Sequence, residues 1–445
     1  HFNLYYSRVK ILLTSLQMKN ESKVNIGSPV LRFSWSLYDW ANSAWSAIII
    51  TFIFSRYFVD VLSNDPNTGT LIWTWTVGLS SFIAALASPI VGTISDSSNG
   101  AKQWLIVTTC LYSIIAIGLW FAVPDHLPLL VFAGIIFIGN IAYEISQIIY
   151  NGQLKLVTNP TNYAKISGLA WALGYAGTVV IFGVYYALFF LPEESFLNLN
   201  HENFEHIRIS FLMTGFWIIV FSAPLFVCLQ KSKIHTYKNL NLKTPFISLK
   251  NTFSEIRNYQ NLAIFLLARL FYTDGINAIF AVAAIYATLV FNMDTNQIIL
   301  LAIGTNVAAG LGSSILCFIE HHVGSRSIIL VSLVAITLIS IIILIISEPL
   351  TFVLLAMALS LFFGPIQSAS RVYFAKAIPD SKKYEFFGFY SFSGKVSAFI
   401  GPTLFGTVTF LLASPKAGMA SVLILFVIGF FIMLKVEPDS SDNNR

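Results

Sequence analysis

Apolar residues fill this chain in long runs broken by short polar stretches, and the runs have the length a membrane requires. A helix crossing a bilayer needs about 20 mostly apolar residues, and twelve runs qualify, at about 34–62, 70–94, 104–123, 128–152, 164–191, 207–229, 261–291, 295–319, 327–346, 350–375, 385–412 and 417–436. Only the connections 192–206 and 230–260 are long. The pattern predicts an all-α integral membrane protein with twelve transmembrane helices. Its organisation reads as a tail over 1–33, a six-helix half over 34–229, a loop over 230–260, a second six-helix half over 261–436 and a tail over 437–445. Residues 1–17 precede Met18, the first methionine, and are read as upstream sequence without functional weight.

Composition removes the competing classes. The chain is 56% hydrophobic and 11% charged. A soluble domain carries about 25% charge, so several soluble domains could not be covered, and disorder needs the opposite balance. Charge placement then orients the spans. Of 26 Lys and Arg, all but Arg56, Arg208, Arg269, Lys395 and Lys416 fall on the side of the N-terminus, whereas the opposite long loop carries Glu193, Glu194, Glu202 and Glu205. The positive-inside rule then makes both termini and the 230–260 loop cytoplasmic. The sole Asn-x-Ser/Thr site, at Asn20, lies in the N-terminal tail, and exterior loops without one favour a bacterial inner membrane over an organellar or vacuolar one.

Cys110, Cys228 and Cys317 sit in apolar runs without CxxC spacing, so neither a disulfide nor a zinc site is expected. No HExxH or GxSxG motif falls in the spans, and His321-His322 sits in a loop. The expectation is a monomeric non-enzyme without cofactor or metal. Its partners are the lipid bilayer, a small-molecule solute and, for coupling, protons; nucleic acid is not among them.

The two halves echo one another. Asp39-Trp40-Ala41-Asn42 in the first span matches Asp274-Gly275-Ile276-Asn277 in the seventh. Ser167-Gly168 with Gly174-Tyr175 in the fifth matches Phe387-Gly388 with Gly394-Lys395 in the eleventh. With six spans on each side of a basic loop, these echoes suggest two parallel six-helix repeats, the major-facilitator arrangement, with a solute site near mid-membrane between the halves.

Several runs carry a more specific likeness. The first-span run Ser34-Trp35-Ser36-Leu37-Tyr38-Asp39-Trp40-Ala41-Asn42-Ser43-Ala44 is followed by Tyr150-Asn151-Gly152-Gln153-Leu154 and by Ser167 through Tyr175. The second half adds Tyr272-Thr273-Asp274-Gly275, Gln367-Ser368-Ala369-Ser370-Arg371, and Glu385-Phe386-Phe387-Gly388-Phe389-Tyr390 through Gly401-Pro402. Over about 33–436 the chain resembles the "unknown major facilitator" branch of major-facilitator transporters, which includes the vacuolar amino-acid effluxer of autophagy. The resemblance implies alternating-access transport of a small metabolite, amino acids first, and places Tyr272 in the pathway. It also implies a gating lock at Asp96 and Lys102, with Arg326 in the second-half counterpart. The sequence departs from the family there: Ser97 and Ala101 replace arginines, and a His stands where the second Asp is expected.

Ionisable residues inside a span are costly and should face protein or a wet cavity. In the fourth span Asn140, Glu144, Gln147 and Asn151 form one polar stripe, which reads as a cavity face or as a buried seam. Asp39 with Asn42 reads as pathway or as an acid near a helix N-terminus. Asp274 with Asn277 lies deeper, and Glu144 or Asp274 is expected to titrate if protons couple. Arg269 could pair across helices with Glu144. Lys395 either snorkels to the membrane face or meets an anion: solute carboxylate, Asp39 or Glu144. Gln367 and Arg371 share a face near the cytoplasmic end, for a gate or a ligand. Gly364-Pro365 and Gly401-Pro402 can bend their helices. The competing readings are export of a drug or metal-chelating metabolite, and a receptor that binds without transporting.

Overall fold

The computed structural model describes residues 28–98, 100–124, 126–190, 199–200, 202–230, 259–398 and 400–438. The expected loop over 230–260 and the tails therefore lie mostly outside the described residues. Twelve helices among them are long and apolar enough to cross a membrane. They are α1 (Pro29–Leu62), α2 (Pro66–Asp96), α3 (Ala101–Phe121), α4 (Leu129–Val157), α5 (Pro160–Leu188) and α6 (Glu205–Leu229) in the first half. The second half holds α7 (Gln260–Phe291), α8 (Gln297–Val323), α9 (Ser325–Ile345), α10 (Pro349–Ala377), α11 (Asp380–Leu412) and α12 (Pro415–Met433). Successive helices run in opposite directions. The face where α1 begins and α12 ends is called the tail face below, and the opposite one the far face.

Local chemistry fixes the helix ends. Ser28 caps α1 by accepting from Leu31 N at 3.2 Å, and Pro29 occupies the first turn, where its missing N–H costs nothing. On the far face Asp65 caps α2 by accepting from Thr68 N and Oγ1, and Glu348 caps α10 by accepting from Thr351. These hydrogen bonds hold both carboxyls below the usual carboxylate range. Asp294 and Gln297 form a reciprocal capping box at the start of α8.

Two helices break where the sequence places proline. In α10, helical winding stops after Ser360 and resumes at Phe363; in α11 it stops after Lys395 and resumes at Ile400. Pro365 and Pro402 cannot donate to the carbonyls four residues earlier, which frees Leu361 and Ala398 from the ladder. α1 instead absorbs a wider i→i+5 winding over Trp45–Phe52.

The halves meet along four helix pairs: α2 with α11, α5 with α8, α5 with α10, and α4 with α11. The α2–α11 crossing is made by two glycines in reciprocal positions. A Cβ at Gly92 would strike the Tyr384 carbonyl, and one at Gly388 the Ser88 carbonyl. Across this contact Ser88 Oγ donates to the Gly388 carbonyl at 2.7 Å. Such close approach by small residues is how helices associate where lipid supplies no hydrophobic drive.

Candidate functional site

Every hydrogen bond between the halves that joins described residues lies between mid-depth and the tail face. They form three layers.

The outermost layer is at the tail face. The Asp96 carboxylate, at the end of α2, accepts from Tyr384 N at 3.2 Å and Glu385 N at 2.8 Å. These are first-turn donors of α11 with no intrahelical acceptor, so the carboxylate meets the positive end of the helix dipole. Beside it Lys155 Nζ lies 2.8 Å from Asp380 and donates to the Ile378 carbonyl at 2.5 Å. Neither residue of the Lys155–Asp380 pair was singled out from sequence. A lysine at a helix end reads as a surface anchor, and its partner lies in the other half.

The middle layer is built on Arg371, about 9 Å inside the tail end of α10 by helical rise. Its side chain is 2% exposed, and the guanidinium satisfies four acceptors on three helices of the first half. Nε donates to Ser167 Oγ at 2.9 Å and Nη2 to the Ser167 carbonyl at 2.9 Å. Nη1 reaches Asn151 Oδ1 at 3.2 Å and Asp39 Oδ2 at 3.3 Å. Trp35, Tyr150 and Trp171 box the cation, with ring centroids 4.9, 5.7 and 5.7 Å away. Trp35 is itself held by stacking on Tyr150 and by its Nε1 donating to the Tyr150 carbonyl. Since α1 starts at Pro29, Asp39 lies about three turns in, which removes the reading of an acid at the helix N-terminus.

The deepest layer is one ion pair. Lys395 Nζ donates to Glu144 Oε1 at 2.7 Å, joining the middle of α11 to the middle of α4. Glu144 is buried, with its side chain 6% exposed, while the lysine side chain is 38% exposed. Of the readings open for Lys395, the encounter with Glu144 is the one seen, and Arg269 does not compete for that acid. Arg269 instead lies 3.5 Å over the Tyr390 ring and donates to the Tyr390 carbonyl at 2.6 Å and Ser393 Oγ at 3.0 Å, within its own half.

Other expected pathway residues stay within one half. Asn140 Nδ2 donates to Ser80 and Ser81 on α2. Asn42 accepts from the Tyr112 hydroxyl. The α4 stripe is thus a buried seam at Asn140 and an interface between halves at Glu144 and Asn151. Tyr272 bonds Ser370 at 2.7 Å, fully buried between α7 and α10. Asp274 Oδ2 accepts from Gly401 N at 3.0 Å, capping the resumed segment of α11, while its Oδ1 is buried without a partner. Asn277, Gln147 and Gln367 are half-buried, and Gln147 Nε2 has no acceptor. Of the expected gate, Asp96 and Arg371 bridge the halves. Lys102 donates to the Leu229 carbonyl and Arg326 to that of Leu434, each inside its own half. The cations that bond across the halves are Arg371, Lys155 and Lys395.

Comparison with known proteins decides the family. The profile described as "Vacuole effluxer Atg22 like" matches residues 56–160 and 158–445. The chain belongs to the Atg22-like family. Its relatives include the uncharacterized MFS-type transporter YxiO of Bacillus subtilis, 28% identical over 418 residues, covering 92% of this chain and 95% of that one. Autophagy-related protein 22 of Cryptococcus neoformans var. neoformans serotype D is 25% identical over 312 residues. That match covers 65% of this chain and 52% of the fungal protein, so the chain spans about half the length of this fungal relative. Among solved structures, the major-facilitator transporter FucP in its outward conformation superposes with TM-score 0.71 at 15% identity, covering 92% of this chain and 98% of FucP. The proton:xylose symporter XylE gives 0.67 at 13% identity, covering 92% and 96%. The fold is the twelve-helix major-facilitator fold, and the protein is a multi-pass membrane transporter of that superfamily, not an enzyme.

Proposed function

We propose that this member of the family is a secondary active transporter that exports amino acids by alternating access, coupled to protons. The observation that carries the reading is the asymmetry of the interface. All described hydrogen bonds between the halves lie from mid-depth to the tail face, so the molecule rests in one of two gated states. A carrier alternates by exchanging such a set of contacts for another at the opposite face. Amino acids are favoured because the deepest layer presents one acid and one base, and because the family description names effluxers. Coupling is assigned to Asp274, because Glu144 already has its counter-ion whereas Asp274 has, among the described residues, no cation within 4 Å and one oxygen without a partner.

The positive-inside rule favours a cytoplasmic tail face, and with that orientation this state is outward-facing. The similarity to the Bacillus protein over most of both chains supports a bacterial plasma membrane. One chain supplies both halves, so a monomer is sufficient.

The test is counterflow in proteoliposomes loaded with each amino acid, at equal pH and under an imposed pH gradient. Accumulation of labelled solute that grows with the gradient is expected. Absence of flux for every amino acid removes the substrate class, and flux indifferent to the gradient removes the coupling.

A further inference from the structure

We infer that Glu144 and Lys395 are the docking point for a solute bearing both a free ammonium and a free carboxylate, and that their ion pair opens onto the two charges of this zwitterion. The inference rests on the transport reading and adds the residues and the discrimination to it.

Four other charges inside the bundle are held elsewhere. Arg371 satisfies four acceptors, Arg269 is held by Tyr390 and Ser393, Asp274 caps the resumed α11, and Asp96 caps its start. Glu144 and Lys395 share a single hydrogen bond, and an ammonium carries three donors. Lys395 is also the partner best able to move. Its helical segment ends at Lys395 itself, and Val396 to Ala398 continue as hydrogen-bonded turns, so the lysine stands at the end of a regular helical segment and not within one. At 38% exposure the lysine side chain is open to an incoming solute, whereas Glu144 is covered.

Charge balance then selects the solute. With the pair closed, the empty site is neutral. An entering zwitterion gives its ammonium to Glu144 and its carboxylate to Lys395, and the site is neutral again. A solute with only an ammonium leaves Lys395 without a counter-ion, and one with only a carboxylate leaves Glu144 so. An uncompensated charge in this setting is strongly disfavoured. Gln147, one turn from Glu144 on α4, adds a side-chain donor that now lacks an acceptor, and a carboxylate supplies one.

The experiment uses the full-length protein, by thermal shift and by counterflow, with each amino acid, its amide (no carboxylate) and its N-acetyl derivative (no ammonium). At least one amino acid should bind a hundredfold more tightly than either blocked form. In Glu144→Gln the lone lysine should turn the preference by tenfold or more toward the N-acetyl form, and in Lys395→Met the lone acid should turn it toward the amide. Glu144→Lys combined with Lys395→Glu preserves the pair and should keep the preference for the zwitterion, which separates a loss of recognition from a loss of folding. The inference is overturned if the blocked forms bind as well as the parent, or if both single variants stay folded and lose all ligands alike. Flux of a solute lacking either charge, unaffected in these variants, overturns the clamp and leaves the transport reading standing. Absence of flux for any solute overturns the transport reading itself.

Discussion

Arg371 Nη1 lies 3.3 Å from Asp39 Oδ2, joining residues 332 positions apart on opposite halves of the molecule. Arg371 is buried at 2% side-chain exposure and Asp39 half-buried at 15%, so the pair lies mostly out of water and is not a surface one. Removing one partner of such a pair costs about 3–5 kcal/mol, because the survivor keeps its charge out of water. Any state that separates the halves at the tail face has already lost the pair, so the penalty falls on the closed state alone. Asp39→Asn or Arg371→Gln should therefore shift the balance toward tail-face opening by roughly a hundredfold to a few thousandfold, at about 1.4 kcal/mol per factor of ten. Spin labels at Lys102 and Arg326, which bond only inside their own halves, should report a longer distance population. An unchanged distance distribution in both variants would refute this.

Gly92 and Gly388 test the same face through packing alone. A methyl at Gly92 meets the backbone of Tyr384 and Glu385, and one at Gly388 meets that of Ser88 and Pro89. Backbone cannot rotate aside as a side chain does, so the helices must separate. Overpacking of this kind costs about 1–3 kcal/mol. Gly92→Ala and Gly388→Ala should each favour the open tail face, whereas Gly118→Ala, where a Cβ meets nothing, should leave the distances unchanged. If all three variants behave alike, the α2–α11 contact does not control closure.

Lys155 and Asp380 are the weak partners in the lock. Asp380 is 88% exposed, and an exposed ion pair contributes about 0–1 kcal/mol. Asp380→Asn should change the distance distribution at most a few-fold and should lose even that effect in high salt. A shift as large as that of Arg371→Gln would mean that the outer layer governs closure.

The twelve helices were legible because each leaves a run of apolar residues long enough to span lipid, whatever its neighbours do. The sequence reading starts α1 five residues late because Arg32 interrupts the apolar run, although Ser28-Pro29 is itself an N-terminal signal. Individual charges were legible for the opposite reason: Glu144, Asp274, Arg371 and Lys395 are conspicuous by their cost. Their partners were not. Helical spacing relates residues of one helix, so it grouped Asn140 with Glu144, whereas packing sends the first to Ser80 and the second to Lys395. Ser167 was noticed only as part of a motif, and nothing in its local sequence marks it as a twofold acceptor for Arg371.

Asp274 separates coupling from folding. Its Oδ2 accepts from Gly401 N at 3.0 Å where α11 resumes, and its Oδ1 is buried without a partner. Asparagine keeps an oxygen for the Gly401 amide, so Asp274→Asn should hold the cap. Asp274→Ala leaves that amide unsatisfied at a cost of about 1–3 kcal/mol. If Asp274 carries the coupled proton, Asp274→Asn should stay as thermally stable as the native protein and exchange amino acids across equal pH. It should lose the accumulation that a pH gradient drives. Glu144→Gln should fail differently, changing which solutes are taken while keeping its response to the gradient for those it still accepts. Accumulation that follows the gradient in Asp274→Asn as in the native protein would leave this carboxyl a helix cap only. The proton, if one moves, would then have to pass through a different group.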